Sequence, residues 1–234
     1  MPTHSKRFKK ALAGVNRQKG YSVDDAIDAL LATATAKFDE TLEIAVRLGV
    51  DPRKADQNVR GAIVLPHGTG KGAKVLVLAR DAAKEKEARE AGADLVGNDD
   101  FLKQIESGWL DFDKLIATPD MMKDLGKLGK VLGPRGLMPS PKTGSVTFDV
   151  KRAVEEAKAG KVEFRVDKAG IVHAGIARRS FKKDQVRDNL VALMNQINRM
   201  KPSTSKGIYL KTIALSSTMG PGIKVDPAEF RVTA

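Results

Sequence analysis

From Ser22 onward the chain changes its hydrophobic period several times, and each change predicts an element. Ser22-Val-Asp-Asp25 has the form of a capping box, and Ala26, Ile27, Leu30 and Leu31 follow at helical spacing. Over residues 38–48 the period falls to two. Phe38, Leu42, Ile44, Val46 and Leu48 share one side, and Asp39, Thr41, Glu43 and Arg47 the other, which predicts a half-buried strand. A second strand is predicted at 59–65, beyond a polar loop with Asp51-Pro52.

The character then shifts. Lys74-Val-Leu-Val-Leu-Ala79 is a continuous apolar run, the mark of a strand covered on both faces. Asp81 is placed to cap a helix reaching Ala91, where Gly92 stops it. A short strand at 93–97, a helix from Asp99 or Asp100 to Ser107, a buried strand at 114–118 and a helix opened by Pro119-Asp120 follow. This alternation predicts a parallel α/β unit. It closes with a Gly/Pro-rich segment, 126–144, and a helix at 150–159. Beyond Gly160 the period of two returns at Val162, Phe164 and Val166. Asp167-Lys-Ala-Gly170 reads as a hairpin turn into a strand at 171–176. Val186, Leu190, Leu193, Met194 and Ile197 line a helix that ends before Lys201-Pro202, and a strand at 207–215 leads into a loop, Ser216-Ser-Thr-Met-Gly-Pro-Gly222.

The simplest architecture has two domains. A discontinuous α+β domain with a mainly antiparallel sheet is formed by residues 1–67 and 161–234. A Rossmann-like α/β domain with a parallel sheet is inserted at 68–160. Two short links would join them, at His67-Gly68 and Gly160, and double linkage favours hinge motion.

Composition sharpens this picture. The 234 residues carry a net charge of +12, which implies an anionic partner. The charge is not spread evenly. Residues 1–67 and 161–234 hold 25 Lys and Arg against 14 acids, or +11, while 68–160 hold 16 against 15, or +1. The split domain is therefore the expected nucleic-acid binder. No apolar run reaches membrane-span length, and Met1–Lys10 has the charge of a signal peptide's start without the apolar segment that should follow. The absence of cysteine excludes disulfides and thiolate metal sites and fits a cytoplasmic location.

Catalysis finds little support. His67-Gly-Thr-Gly-Lys-Gly72 suggests a phosphate loop, but Leu65 stands where a Walker glycine belongs and Gly72 where Ser or Thr belongs. A strand-like run follows it instead of a helix. His4, His67 and His173 lack metal-ligand spacing, and neither a metal nor an organic cofactor is expected. Trp109 and most phenylalanines read as core. The split domain has no RNP1-like strand and few stacking aromatics, so recognition of RNA shape, backbone and 2′-hydroxyls is expected over base reading. The hydroxyls and glycines of 216–222 suit close approach to phosphates and sugars. The segment 126–144 carries Lys130, Arg135 and Lys142 amid Gly and Pro, and reads equally as an RNA-facing loop or a surface loop tied down by Leu128, Val131, Leu132, Leu137 and Met138.

Six motifs occurring in order resemble those of the family of bacterial large-subunit ribosomal protein one. They are Ala36-Lys-Phe-Asp-Glu-Thr41, Asp56-Gln-Asn-Val-Arg-Gly61, Leu65-Pro-His-Gly-Thr-Gly70, Gly133-Pro-Arg-Gly-Leu-Met-Pro139, Lys206-Gly-Ile-Tyr209 and Ser217-Thr-Met-Gly220. The resemblance spans nearly the whole chain. It implies a non-enzymatic protein bound to the mobile stalk of large-subunit rRNA beside the tRNA exit site, aiding release of deacylated tRNA. It also implies a repressor that binds its own operon mRNA. It implies RNA contacts at Lys37, Phe38, Thr41, Arg165, Lys168, Ser217, Thr218, Met219 and Gly220. The family's Ser-Thr-Thr-Met-Gly reads Ser216-Ser-Thr-Met-Gly220 here, keeping the hydroxyl, and Ser140 stands where the family has Asn. No membrane contact and no obligate homo-oligomer are expected. The alternative from another class is a nucleotide-dependent enzyme using the inserted domain.

Overall fold

The computed structural model describes residues 5–230, so His4, weighed above as a metal ligand, lies outside the described residues. In chain order the helices are α1 (Lys6–Ala13), α2 (Val23–Thr33), α3 (Ala82–Glu90), α4 (Asp99–Glu106), α5 (Met122–Lys127), α6 (Gly129–Leu132), α7 (Val150–Lys158) and α8 (Lys183–Arg199). The strands are β1 (Thr41–Leu48), β2 (Arg60–Val64), β3 (Val75–Leu78), β4 (Leu95–Gly97), β5 (Lys114–Ala117), β6 (Lys161–Arg165), β7 (Ile171–Arg178), β8 (Leu210–Ser217) and β9 (Ile223–Val225).

The chain divides into two compact units. The first runs up to Gly70 and resumes at Val162; the second is Lys71–Lys161. The first unit is α+β. Its main sheet has the order β7-β1-β8-β9, with every neighbouring pair antiparallel. Alternation along β1 decides which face is covered: Leu42, Ile44, Val46 and Leu48 are buried, whereas Glu43 and Arg47 are exposed. The covered face packs against α2 and α8 through Ile27, Leu30, Val186, Leu190, Leu193, Met194 and Ile197. Each such side chain contributes about 1.5–3 kcal/mol on burial. Ser22 caps α2 by accepting a bond from the Asp25 amide at 3.2 Å. β2 and β6 pair in a separate two-stranded sheet.

The second unit is α/β, with parallel strands in the order β4-β3-β5. All four residues of β3 are buried because both of its faces are covered. Leu76 and Leu78 pack with Ile105, Leu115, Met121 and Leu125, while Val75 and Val77 pack with Ala88, Val150 and Val154. Trp109 sits between Phe101 and Phe112, with ring centroids 5.7 and 5.8 Å away.

Three sequence-based expectations need correction. β1 begins at Thr41, not at 38, and Phe38 is 52% exposed; the chain at 36–40 turns so that Glu40 goes inside. β8 begins at Leu210 and extends to Ser217, so Ser216 and Ser217 belong to a strand and not to a loop. The segment 126–144 is structured: it finishes α5, forms α6 and makes a 3-10 turn at Pro141–Thr143, with Leu128, Leu132 and Thr143 buried. The basic start also forms a helix, α1, whose N-cap Ser5 accepts from the Phe8 amide.

Candidate nucleic-acid interface

The antiparallel register sets Thr41 of β1 opposite Arg178 of β7, and Leu42 opposite Ser217 of β8. Three strand ends therefore meet at one end of the sheet, with the loop before β1 and the loop after β8 side by side. Thr218 fastens the two. Its amide donates to Thr41 O at 3.0 Å, and its hydroxyl accepts from Thr41 N at 3.0 Å while donating to Thr41 O at 3.3 Å. The side chain thus acts as an extra rung of the sheet.

Glu40 makes the second fastening. It is fully buried, and its carboxylate accepts from the Ala36 amide at 2.7 Å and the Met219 amide at 3.0 Å. Burial pulls the Glu40 pKa upward, but those amides, the Ser217 hydroxyl and the charge of Arg7 together hold it below the usual value. Ser217 Oγ is close enough to assist in this way yet makes no hydrogen bond of good geometry. Arg7 Nη2 donates to Met219 O at 3.2 Å, so both backbone groups of Met219 are held while its side chain stays 50% exposed. Asp39 ties the same loop to the end of β7. Its carboxylate accepts from the amide and hydroxyl of Ser180, and its carbonyl accepts from Arg178 Nη1. Gly220 follows closely, since a Cβ there would come within 2.4 Å of Ser217 Oγ.

Lys37, Phe38, Thr41, Thr218, Met219 and Gly220 are accordingly gathered at one end of the sheet. Ser217 is near them but only 4% exposed, so its hydroxyl faces inward and not toward a partner. Arg165 and Lys168 are exposed but lie elsewhere. Lys168 sits in the turn before β7, where the Gly170 carbonyl accepts from Leu48 N at the far end of β1. Gly170 has φ +78°, and Asp167 closes the turn by accepting from the amides of Ala169 and Ile171. The eight residues of β7 place the two ends roughly 23 Å apart. Lys130, Arg135 and Lys142 are exposed on the second unit, on α6, in the turn after it and in the 3-10 turn. Pattern reading missed Arg7, Glu40 and Arg178 as site residues. Glu40 and Arg178 carried one available signal, charged residues bordering a strand whose partners turn out to be backbone.

The entry link also differs from the sequence expectation. His67 and Gly68 are tied to α8: His67 N donates to buried Asn189 Oδ1 at 3.0 Å, and Asn189 Nδ2 donates to Gly68 O at 2.9 Å and to Ile176 O at 2.8 Å. His67 Nε2 also lies 3.0 Å from Asp188. The unit boundary falls at Gly70, three residues later than Pro66-His67, and the exit falls after Lys161. Transferring Lys161 leaves the units at +10 and +2. Gly160 has φ +91°. No group of three or more His, Asp or Glu among the described residues could hold a metal ion, and no helix among them is long and apolar enough to cross a membrane.

Comparison with known proteins agrees with the motifs. The chain is 55% identical over 231 residues to a large ribosomal subunit protein uL1 from Desulfotalea psychrophila (strain LSv54 / DSM 12343), an alignment covering 99% of this chain and 98% of that protein. Residues 30–221 match the model of the ribosomal protein L1p/L10e family, a span that takes in the whole second unit, most of the first, residues 36–41 and 217–220 of the candidate interface and the links between the units. On that match and that identity, this chain belongs to the ribosomal protein L1p/L10e family.

Proposed function

We propose that this protein is a component of the large ribosomal subunit in the cytoplasm and that its split, basic unit binds large-subunit rRNA. The observation that carries this reading is the sheet end built from Thr41, Thr218, Met219 and Gly220. The backbone N–H groups of these four residues are all paired internally, and the sheet end presents Lys37 and two apolar side chains, Phe38 and Met219, to solvent. Exposed apolar groups beside cations suit nucleotide faces next to phosphates. Internal satisfaction of the loops lowers the ordering cost of binding.

Finer roles follow from the family resemblance. The same surface binds a similar fold in the protein's own operon mRNA, which makes rRNA and mRNA mutually exclusive ligands. The RNA element is the mobile stalk beside the tRNA exit site, and the protein assists release of deacylated exit-site tRNA. Lys168, with Arg165 at the end of β6, serves a second RNA segment, because the length of β7, roughly 23 Å, separates the Lys168 turn from the first cluster. Bending at Gly70–Gly72 and Gly160 lets the inserted unit follow the stalk. Catalysis is not part of this account.

The test is a salt titration of binding to a transcript of the rRNA stalk, with the operon mRNA leader as competitor. Parent protein binds with log affinity falling linearly in log salt, and Lys37→Gln flattens that slope by up to about 1. Binding of the stalk transcript no tighter than unrelated RNA of equal length would refute the reading.

A further inference from the structure

A carboxylate has the wrong sign for a surface that binds a polyanion, yet Glu40 stands in the middle of Ala36-Lys-Phe-Asp-Glu-Thr41. Its environment gives the reason. It is fully buried, it accepts from the amides of Ala36 and Met219, and Arg7 lies close enough to favour its charge. One oxygen holds the loop that carries Lys37 and Phe38, and the other holds the loop that carries Thr218, Met219 and Gly220. The two loops belong to segments 179 residues apart in sequence. Arg7 closes the arrangement by donating to Met219 O, which draws α1 to the same point.

We infer that Glu40 is a positioning residue for RNA recognition, a buried anionic clamp that sets the spacing of Lys37 and Phe38 against Met219 without touching the RNA. The inference rests on the rRNA-binding reading above and deepens it. Its consequence runs against simple electrostatics. Deleting a negative charge near a polyanion site should strengthen binding to any RNA. Loss of the clamp should instead weaken binding to the specific RNA, because a glutamine amide at this place turns an N–H toward one of two backbone N–H groups.

The experiment compares full-length parent, Glu40→Gln and Glu40→Asp for binding to the stalk transcript and to polyuridine, with thermal unfolding of each. Glu40→Gln is expected to bind the stalk transcript at least about tenfold more weakly and polyuridine as tightly as the parent or more tightly. Glu40→Asp keeps the charge, but its carboxylate is one methylene too short to reach both amides. It is expected to weaken stalk binding as well, leaving polyuridine unchanged. A merely structural acid would shift both RNAs together. Should either variant fail to fold, amide hydrogen exchange on the parent decides: the Ala36 and Met219 amides must be protected in the free protein. Folded Glu40→Gln binding the stalk transcript as tightly as the parent, or unprotected amides at both positions, overturns the inference. Failure of the parent to prefer the stalk transcript over polyuridine sinks the underlying rRNA reading instead.

Discussion

Thr218 has a hydroxyl whose structural partner differs from the one its chemistry suggests. A hydroxyl in a glycine-bearing loop suggests a bond to ribose or phosphate, yet this hydroxyl pairs with the backbone of Thr41. Thr218→Val therefore leaves Thr41 N–H without its partner at a half-exposed site. We predict a stability loss of about 1 kcal/mol, read by denaturant unfolding, together with weaker RNA binding. Unchanged stability would mean that the rung is not formed in solution. Phe38 and Lys37 separate two contributions. Phe38→Ala should lower affinity without altering the salt slope, since no charge is lost, whereas Lys37→Gln should flatten it. Ser217 is expected to face RNA, but burial turns its hydroxyl inward beside Glu40, so Ser217→Ala should affect RNA affinity only through the Glu40 clamp and less than Glu40→Gln does.

At the scale of elements, the sequence was legible where one covered face imposes its period. The buried run of β3, the helix stop at Gly92, the Ser22 cap, the turn at Gly170 and the amphipathic stripe of α8 are all readable from spacing, because each records a local physical demand. Strand ends were less legible. β1 starts three residues later and β8 ends two residues later than the pattern implies, because the pairing of Thr41 with Thr218 and the inward turn of Glu40 join segments far apart in sequence. The segment 126–144 was half legible: glycine and proline composition signals a loop and hides α6, while the five apolar residues read as ties, Leu128, Val131, Leu132, Leu137 and Met138, do join the core of the second unit. Two substitutions probe these junctions. Gly220→Ala brings a methyl group against Ser217 Oγ, so either that hydroxyl or the loop must move; we predict weaker stalk-RNA binding with a melting temperature within a few degrees of the parent. Asn189→Ala orphans His67 N and the carbonyls of Gly68 and Ile176, and should cost about 2–4 kcal/mol in unfolding of the first unit.

Across the whole molecule the charge is divided between units at +10 and +2, whereas both units hold carboxyls below their ordinary values, Glu40 and Asp167 among them in the first. In the second unit several carboxyls are held below their ordinary values: Asp94 by the Val75 amide, Asp113 by Lys71, Asp124 by Lys127 and Glu156 by Lys161. A depressed folded pKa gives stability that is present above the unfolded value, near 4, and lost as pH falls through the folded value. The second unit should thus lose stability steadily below about pH 4, measurable by unfolding at a series of pH values; stability flat through that range would contradict these ion pairs. Placement of RNA binding on the first unit is the central claim. It is tested most directly by hydrogen–deuterium exchange of the full-length protein with and without the rRNA stalk transcript. The account predicts RNA-dependent protection over 34–41 and 216–222 and no change over 82–106. Protection confined to 71–161, with both loops of the sheet end unaffected, would contradict it.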